Sequence, residues 1–494
     1  MTSLSDDTCR DAPPAASLSE SQKTTPLVAA VSRFFEDPGA AFTTPGHKRA
    51  SWLADPLLSL DLPLAAGADD NQLSGGYLRR AEALAAELWS AEYCRFSVNG
   101  STHGNQALAL AVAAGGARVG VSRNLHKSVF AGLILAGLEP IWMYPEIDSS
   151  TGLSAGLPTT ELEHALDRGI SAVMLVEPSY TGAISDLATI VARAHERGVP
   201  VITDQAWGAH LGLHPDLPGS ALRYGADAMV ISAHKTLAAF TQSALLLARG
   251  DLLDFDRIDA AFDLLNTTSP SAAMLASIDR ARHIMATRGV ELLSLTVELA
   301  RRCRRELAEV EGLKLLDLST VESCPSMKSF DPLKLVLLLA GTGADGIAIE
   351  SDLLEAGVRV EMADRDVIIP LLTIGDDDRT VAKLVSALRT AIERRRGEPR
   401  SPMASIAWSV RPTTAITPRE AFMAPRERVD ARRAVGRISA ETAAPYPPGI
   451  PVLAPGEVVS KEMLEGLRAE AAAGRRVAYC SDPTLDTLLV VSRT

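Results

Sequence analysis

The sequence predicts an α/β protein whose largest domain contains a mainly parallel sheet. Short and nearly all-apolar runs lie at residues 118–122, 140–144, 172–176, 199–203 and 228–232. Their length and composition are typical of strands buried on both faces. Helical patterns alternate with them, at residues 104–114, 128–136, 160–166 and 185–196, and another lies at 77–89. Strands that alternate with helices indicate a parallel sheet covered by helices on both faces.

The chain of 494 residues is long enough for about three domains at ~150 residues each. A helical stretch from residue 272 to 310 leads into a second, smaller α/β region. That region contains strand-like runs at 334–339, 358–361 and 367–373, and helical patterns at 345–356 and 378–394. A linker at 397–402, a proline-rich stretch at 445–455 and a helix near 461–473 follow. We therefore predict a disordered tail (1–25), an N-terminal segment (26–60), a large domain (61–275), a linking helix with the small domain (276–396), and a C-terminal domain (403–494).

Composition excludes several classes of protein. The 49 Lys and Arg residues against 61 Asp and Glu residues give a net charge of −12, which argues against a nucleic-acid partner. No apolar run reaches the ~20 residues of a membrane span, so no membrane partner is expected. The five cysteines are scattered, which disfavours a disulfide framework and a zinc ribbon, and no metal site is predicted. The expected location is the cytoplasm.

Two chemically complementary side chains follow neighbouring strands of the predicted sheet. Asp204 comes directly after the run at 199–203, and Lys235 comes shortly after the run at 228–232. Ligands of open α/β sheets bind outside the carboxyl ends of the strands. An amine there can form a Schiff base with an aldehyde cofactor, and a carboxylate can keep a pyridine nitrogen protonated. Pyridoxal 5'-phosphate (PLP) requires both groups. Taken singly, each residue is better explained by a structural role, as a solvated lysine or a turn-capping aspartate.

Two further segments are suited to such a cofactor. Ser101 and Thr102 lie among glycines at the start of a helical pattern, where backbone N–H groups and the helix dipole favour a phosphate. A plain helix cap has the same composition. His126 follows the strand-like run at 118–122, and its imidazole could stack on a cofactor ring.

These pieces, in this order, resemble the ornithine/lysine/arginine decarboxylase family of fold-type I PLP enzymes, which have the aspartate aminotransferase fold. The resemblance is to the short form of the family, without an N-terminal receiver-like domain, and it covers nearly the whole chain. The matching stretches lie at residues 44–48, 99–105, 124–128, 177–182, 204–210, 232–242, 360–364 and 445–451.

The resemblance implies PLP as cofactor, a homodimer or higher homo-oligomer, and a role for each matching residue. Lys235 would bind the cofactor as a Schiff base, Asp204 would contact the pyridine nitrogen, and His126 would stack on the ring. Ala206 would pack beneath the ring. The phosphate would be held by Ser101, Thr102, Ser232 and His234.

The implied reaction is decarboxylation of a basic L-amino acid. Arginine, giving agmatine and CO2 for polyamine biosynthesis, is the first choice, and lysine or ornithine is the alternative. The candidate substrate residues are Glu441, Asp482, Asp69, Asp70 and Trp207. Glu441 precedes the Pro-Tyr-Pro-Pro-Gly stretch, as in the short arginine-type enzymes, and a carboxylate can bind a guanidinium through two parallel hydrogen bonds. Gln205, Trp207 and the stretch before Asp69 depart from the family pattern and leave the substrate open.

Two other functions are compatible with the same motifs. A PLP-dependent oxidase or aminotransferase acting on a basic amino acid would keep the fold and change the reaction. Residues 367–373 contain no arginine to clamp an α-carboxylate, which favours decarboxylation, although Arg365 lies just upstream. A catalytically inactive regulatory homologue is the third reading, and the intact Lys235 and Asp204 argue against it.

Overall fold

The structure is a computed structural model that describes residues 19–36, 44–45, 47, 61, 76–317, 324–402, 406, 410–446, 449–472 and 475–492. Its α-helices are α1 (Pro26–Glu36), α2 (Tyr77–Leu88), α3 (Gly100–Val112), α4 (Lys127–Ala136), α5 (Thr159–Asp167), α6 (Leu187–His195), α7 (Ala233–Thr236), α8 (Phe255–Leu265), α9 (Ala272–Leu307), α10 (Gly346–Glu355), α11 (Asp378–Arg395), α12 (Pro418–Met423), α13 (Ala431–Ala434) and α14 (Lys461–Ala472).

Seventeen strands are present in the described residues. They are β1 (Tyr93–Ser97), β2 (Arg118–Ser122), β3 (Glu139–Met143), β4 (Val173–Val176), β5 (Ala183–Ser185), β6 (Val201–Asp204), β7 (Ala228–Ser232), β8 (Ala244–Ala248), β9 (Lys314–Leu315), β10 (Met327–Phe330), β11 (Leu337–Leu338), β12 (Met362–Ala363), β13 (Val367–Ile369), β14 (Arg426–Asp430), β15 (Ala444–Tyr446), β16 (Arg476–Ala478) and β17 (Thr487–Val491).

The chain forms two compact units, and the first comprises residues 1–111 and 202–294. Its strands lie in the order β1-β8-β7-β6. Strands β6 and β7 are parallel, with Asp204 opposite Val230, and β8 is antiparallel to both of its neighbours. Every residue of β7 and β8 is buried, as expected for strands covered on both faces.

The second unit comprises residues 112–201 and 295–494. Strand β2 lies between β4 and β3 and is parallel to both. An antiparallel sheet in the order β12-β13-β11-β9 forms the core of the predicted small domain. Two antiparallel pairs, β14 with β17 and β15 with β16, belong to the C-terminal region.

The mainly parallel arrangement is confirmed, since the strands β1–β4 and β6–β8 make three parallel and two antiparallel pairings within the units. The five predicted strands of the large domain appear within two residues of their predicted bounds. Strands β1 and β8 and helix α1 were not predicted.

One predicted strand, at residues 358–361, is wrong. The N–H of Val358 donates instead to the carbonyl of Leu353, and Gly357 has a φ of 70°. A left-handed residue followed by a hydrogen bond of this kind is the usual end of an α-helix. Gly357 and Val358 therefore form the C-terminal end of α10, where the sequence predicted the start of a strand. The strand itself begins later, at Met362.

Structured contacts begin inside the predicted tail. Gln22 is buried, its Nε2 donates to the carbonyl of Leu84, and its own carbonyl accepts from Arg282. Residues 1–18 lie outside the described residues. The domain boundaries predicted above stay a prediction. Among the helices described, none combines the length and apolarity needed to span a membrane.

Candidate active site

Asp204 is the last residue of β6 and is almost completely buried. Its Oδ2 accepts a hydrogen bond of 2.7 Å from Nδ2 of Asn105 on α3. Its Oδ1 accepts one of 3.1 Å from the N–H of Ala206. These two donors hold the carboxylate in one orientation, and each oxygen keeps a lone pair that can accept a further hydrogen bond.

Lys235 lies just past the end of β7, in the short helix α7. Its Nζ lies 4.0 Å from the centroid of the Trp207 ring, over the ring face. Because β6 and β7 are neighbouring parallel strands, their carboxyl ends meet at one edge of the sheet. The predicted pairing of a carboxylate and an amine at adjacent strand ends is therefore present in the first unit.

The start of α3 forms a cluster of small polar groups beside the end of β7. The Oγ atoms of Ser101 and Ser232 are 2.9 Å apart, and Thr102 follows in the same turn. The N–H groups of a first helical turn have no partner within the helix. Glycine at position 104 permits the close packing of α3 on β7, because a Cβ there would lie 2.8 Å from a methyl group of Val230.

His234 and the loop before β8 complete this cluster. Nδ1 of His234 donates to the carbonyl of Ser243 at 2.9 Å, so that the ring orientation is set by the backbone. Burial lowers the pKa of His234 below its usual value, and the neighbouring Lys235 charge contributes. Ala206 is buried next to Asp204.

His126 belongs to the second unit, where it caps the N-terminus of α4. Its Nδ1 accepts from the N–H of Ser128 at 3.3 Å and lies 2.8 Å from the Oγ of the same residue. With Nδ1 accepting, a neutral ring carries its proton on Nε2. The side chain is exposed.

The donor set of the first unit fits PLP. Hydroxyls and the N–H groups at a helix N-terminus suit its phosphate, the oriented Asp204 carboxylate suits a protonated pyridine nitrogen, and the Lys235 amine suits its aldehyde. All of these groups come from the ends of β6 and β7 and from the first turns of α3 and α7.

Comparison with known proteins decides the family. The family model described as "Orn/Lys/Arg decarboxylase, major domain" matches residues 25–380, and the one described as "Orn/Lys/Arg decarboxylase, C-terminal domain" matches residues 402–477. The chain belongs to the Orn/Lys/Arg decarboxylase family. This assignment confirms the predicted family, the fold-type I architecture, the PLP cofactor and the amino-acid decarboxylase class.

Individual relatives agree with this assignment. An arginine decarboxylase of Bacillus subtilis is 34% identical over 484 residues, covering 95% of this chain and 98% of that protein. Lysine decarboxylase A from Pseudomonas aeruginosa has a TM-score of 0.79 at 20% identity, over 95% of this chain and 81% of that one. Serine palmitoyltransferase with a PLP internal aldimine has a TM-score of 0.53 over 74% of this chain and 83% of that one.

Two of the predicted substrate carboxylates of this decarboxylase bind the protein's own backbone. Glu441 is buried, and it accepts from the N–H of Ser481 at 2.6 Å and the N–H of Leu489 at 2.7 Å. Asp482 accepts from Thr484 and Thr487, whose hydroxyls and N–H groups hold the pKa of Asp482 far below its usual value. Their substrate roles stay predictions. Asp69 and Asp70 lie outside the described residues.

Sequence reasoning missed the role of Asn105. The residue stands in the matching stretch 99–105, and the spacing of four from Ser101 places both side chains on one face of α3. That periodicity was a usable signal for a polar face, but it could not identify Asp204 as the partner.

Proposed function

We propose that this protein decarboxylates L-arginine to agmatine and CO2, with PLP as cofactor. The observation that carries the proposal is the pairing of Lys235 and Asp204 at the ends of neighbouring parallel strands, in a chain that belongs to this family. Arginine is supported by four relatives named arginine decarboxylase, three from Bacillus and one from Halalkalibacterium halodurans, at 32–34% identity over 88–95% of this chain.

When bound, PLP supplies an electron sink for the electron pair that remains on the α-carbon as CO2 leaves. Lys235 would hold the cofactor through its Nζ. The Asp204 carboxylate would keep a positive charge on the heterocycle, since its two fixed donors prevent it from turning away. Ser101, Thr102, Ser232 and His234 would hold the phosphate, with Ala206 beneath the ring and His126 on it.

The reaction replaces a carboxylate by a hydrogen atom, so that each turnover consumes one proton. The Lys235 Nζ is the group of this chain that would deliver this proton to the α-carbon.

The cationic side chain of arginine requires an anionic or aromatic partner. Trp207 lies against a cation already, the Lys235 ammonium, and a ring face of this kind also binds guanidinium groups. Glu441, Asp482, Asp69 and Asp70 remain the proposed acidic partners.

The proposal includes a homodimer or higher homo-oligomer in the cytoplasm, with agmatine feeding polyamine biosynthesis. The resemblance to the family supports these statements. Light scattering on the purified holoprotein tests the assembly, and a monomeric mass would contradict that part.

The function is tested by incubating the protein and PLP separately with arginine, lysine and ornithine, and identifying the products by mass spectrometry. We expect agmatine from arginine. A keto acid with ammonia or peroxide would indicate the aminotransferase or oxidase, and inactivity on all three substrates would refute decarboxylation.

Borohydride reduction tests the covalent bond. A pyridoxyl adduct on the peptide that contains Lys235 is expected in the wild type and in the control Lys461→Ala, because Lys461 is exposed at the surface, with its Nζ 3.6 Å from Glu465. Lys235→Ala should lose the adduct. Absence of an adduct in the wild type would favour an inactive homologue.

A further inference from the structure

A largely buried polar network of the first unit connects strand β1 to helix α8. Tyr93, Arg95 and Ser97 alternate along β1, so their side chains lie on one face of the strand. The hydroxyl of Tyr93 donates to Asp259 at 2.7 Å, and Nη2 of Arg95 donates to Asp263 at 2.7 Å. Helix α8 is therefore fixed on the strand that leads into α3.

His103 joins α8 to the first turn of α3. Its side chain is completely buried, and its ring packs on the Phe262 ring with 3.9 Å between the centroids. Nε2 donates to the carbonyl of Phe262 at 2.9 Å, so that in a neutral ring Nδ1 is an acceptor. Burial lowers the pKa of His103, and the hydrogen bond to Phe262 opposes this shift only in part. The neutral ring is therefore favoured.

Ser97 connects the same histidine to the turn between β1 and α3. Its Oγ lies 3.1 Å from Nδ1 of His103 and 3.1 Å from the carbonyl of Gly100. It also accepts from the N–H of Asn99 at 3.1 Å. The N–H of Gly100 donates to the carbonyl of Gln242 at 2.7 Å. The backbone of this turn is therefore held by Ser97 on one side and by Gln242 on the other.

Ser101 lies on the opposite side of α3 from His103. Two residues of an α-helix that are two positions apart are separated by about 200° around its axis. The contacts agree, because the hydroxyl of Ser101 lies 2.9 Å from that of Ser232, whereas His103 contacts α8. A rotation of the first turn about its axis would move both side chains together. The bonds of His103 to Phe262 and Ser97 oppose such a rotation, and they hold Ser101 beside Ser232.

We propose that His103 and Ser97 are positioning residues for the cofactor phosphate. They would set the rotation of the first turn of α3, and with it the direction of the Ser101 hydroxyl and of the helix N–H groups, without contacting the phosphate themselves. This inference rests on the proposed role of Ser101 and Thr102 in binding the phosphate. All of these residues belong to the first unit.

The test titrates the full-length protein, freed of cofactor, with PLP and with pyridoxal, which lacks the phosphate. His103→Phe keeps a ring that can pack on Phe262 and removes both nitrogen atoms. We expect its dissociation constant for PLP to rise by about fivefold or more, and its constant for pyridoxal to stay within about twofold of the wild type. Wild-type affinity for PLP, or equal fold-losses for the two ligands, would overturn the inference.

The phosphorus NMR resonance of PLP bound at saturation gives a second measurement, which does not depend on how tightly pyridoxal binds. A rotated first turn changes the hydrogen bonds to the phosphate. We therefore expect His103→Phe to shift this resonance relative to its position in the wild type. An unchanged resonance would contradict the inference even if the affinity for PLP falls.

Ser97→Ala covers the case in which His103→Phe fails to fold. It removes one hydroxyl and leaves the bond between His103 and Phe262 in place. We expect the dissociation constant for PLP to rise by about two- to threefold, with unchanged affinity for pyridoxal. In the double variant Ser97→Ala/His103→Phe, the loss should be smaller than the product of the single fold-changes, because the two residues share one contact. Unchanged PLP affinity in Ser97→Ala would overturn the inference.

His214→Phe is the matched control. His214 is a second largely buried histidine of this unit. Its Nε2 lies 2.9 Å from the hydroxyl of Ser294, and its Nδ1 accepts from the N–H of Asp216 at 3.1 Å. We expect a comparable decrease in melting temperature with unchanged binding of both ligands. An equal loss of PLP affinity in this control would attribute the His103 result to stability alone.

Failure of the proposed function is distinguishable from failure of the positioning role. Arginine is absent from all of these titrations, so inactivity on arginine would refute the decarboxylation without changing their outcome. Ser101→Ala reports on the phosphate site itself, and unchanged PLP affinity there would refute the phosphate assignment. A loss of PLP affinity in Ser101→Ala, with wild-type affinity in His103→Phe, would refute the positioning role alone.

Discussion

Asn105 and Asp204 form a buried hydrogen bond of 2.7 Å between α3 and the end of β6, 99 residues apart in the chain. The amide of Asn105 donates and the carboxylate accepts. The bond connects the helix that carries Ser101 and Thr102 with the residue proposed to contact the pyridine nitrogen. This hydrogen bond therefore links the helix proposed to bind the cofactor phosphate to the carboxylate proposed to bind the cofactor ring.

Asp204→Asn should remove the anion and keep the size of the side chain. A neutral amide stabilises a protonated pyridine nitrogen far less than a carboxylate does. We expect kcat for arginine to fall by about 10²–10³-fold, the loss seen when one electrostatic partner of a transition state is removed. Stopped assays of released CO2 measure it, and a kcat near the wild-type value would remove Asp204 from the mechanism.

Asn105→Ala should leave Asp204 charged and less firmly oriented. The lost hydrogen bond is to a charged group, so we expect a decrease in kcat of about tenfold or more. The borohydride adduct on Lys235 should persist, which separates misorientation of Asp204 from loss of the cofactor. Unchanged kcat would show that Ala206 orients the carboxylate sufficiently.

Ser101→Ala and Ser232→Ala should each weaken PLP binding, because each removes a hydroxyl from the proposed phosphate site. A hydrogen bond to a charged group contributes ~1.5–3 kcal/mol, so an increase in the dissociation constant of about tenfold or more is expected for each. The hydroxyls contact each other, and the double variant should therefore lose less than the sum. Ser269→Ala, in an exposed loop, is the control that should leave the titration unchanged.

Glu177 should make stability depend on pH near neutrality. Burial raises the pKa of Glu177 from 4.5 to about 7, opposed in part by hydrogen bonds from Ser185. Since the folded-state pKa is raised, the contribution is complete below pH ~4.5 and is lost as pH rises through 7. The free energy of unfolding of the wild type should fall by roughly 3 kcal/mol relative to Glu177→Gln between pH 4 and 8.

Melting temperatures of the two proteins across this range measure the effect. Ser185→Ala removes a donor to the Glu177 carboxylate, so it should move the window to higher pH. A constant difference between wild type and Glu177→Gln at all pH values would contradict the raised pKa.

Glu441→Gln separates two roles of that carboxylate. Both oxygens accept from backbone N–H groups, and the substitution turns one acceptor into a donor that faces another donor. We expect a lower melting temperature, by an amount that corresponds to ~1–3 kcal/mol, and the proposed contact with the guanidinium predicts a raised KM for arginine as well. An unchanged KM at lowered stability would leave Glu441 with the structural role alone.

Strands β2, β3, β4, β6 and β7, and the helices that follow β2, β3 and β4, could be predicted because their apolar runs are continuous and buried. Strands β1 and β8 were not predicted, although β8 is fully apolar. The short run of β8 comes soon after the matching stretch at 232–242, and it was interpreted as part of that stretch. The strand predicted at 358–361 failed because a helix cap at Gly357 uses the N–H of Val358. Local patterns do not show which acceptor an N–H group will find.

The sequence by itself determined the order of the chemical groups, with a carboxylate and an amine each placed at the end of an apolar run, and hence the cofactor. The parallel sheet brings such ends together in any fold of this class. Only the tertiary structure decided that Asn105 orients Asp204, that Arg123 binds Glu457, and that Glu441 binds backbone N–H groups. These pairings join residues 40 to 334 positions apart. Buried polar groups need hydrogen-bond partners, and the fold of the whole chain determines which partner lies within reach.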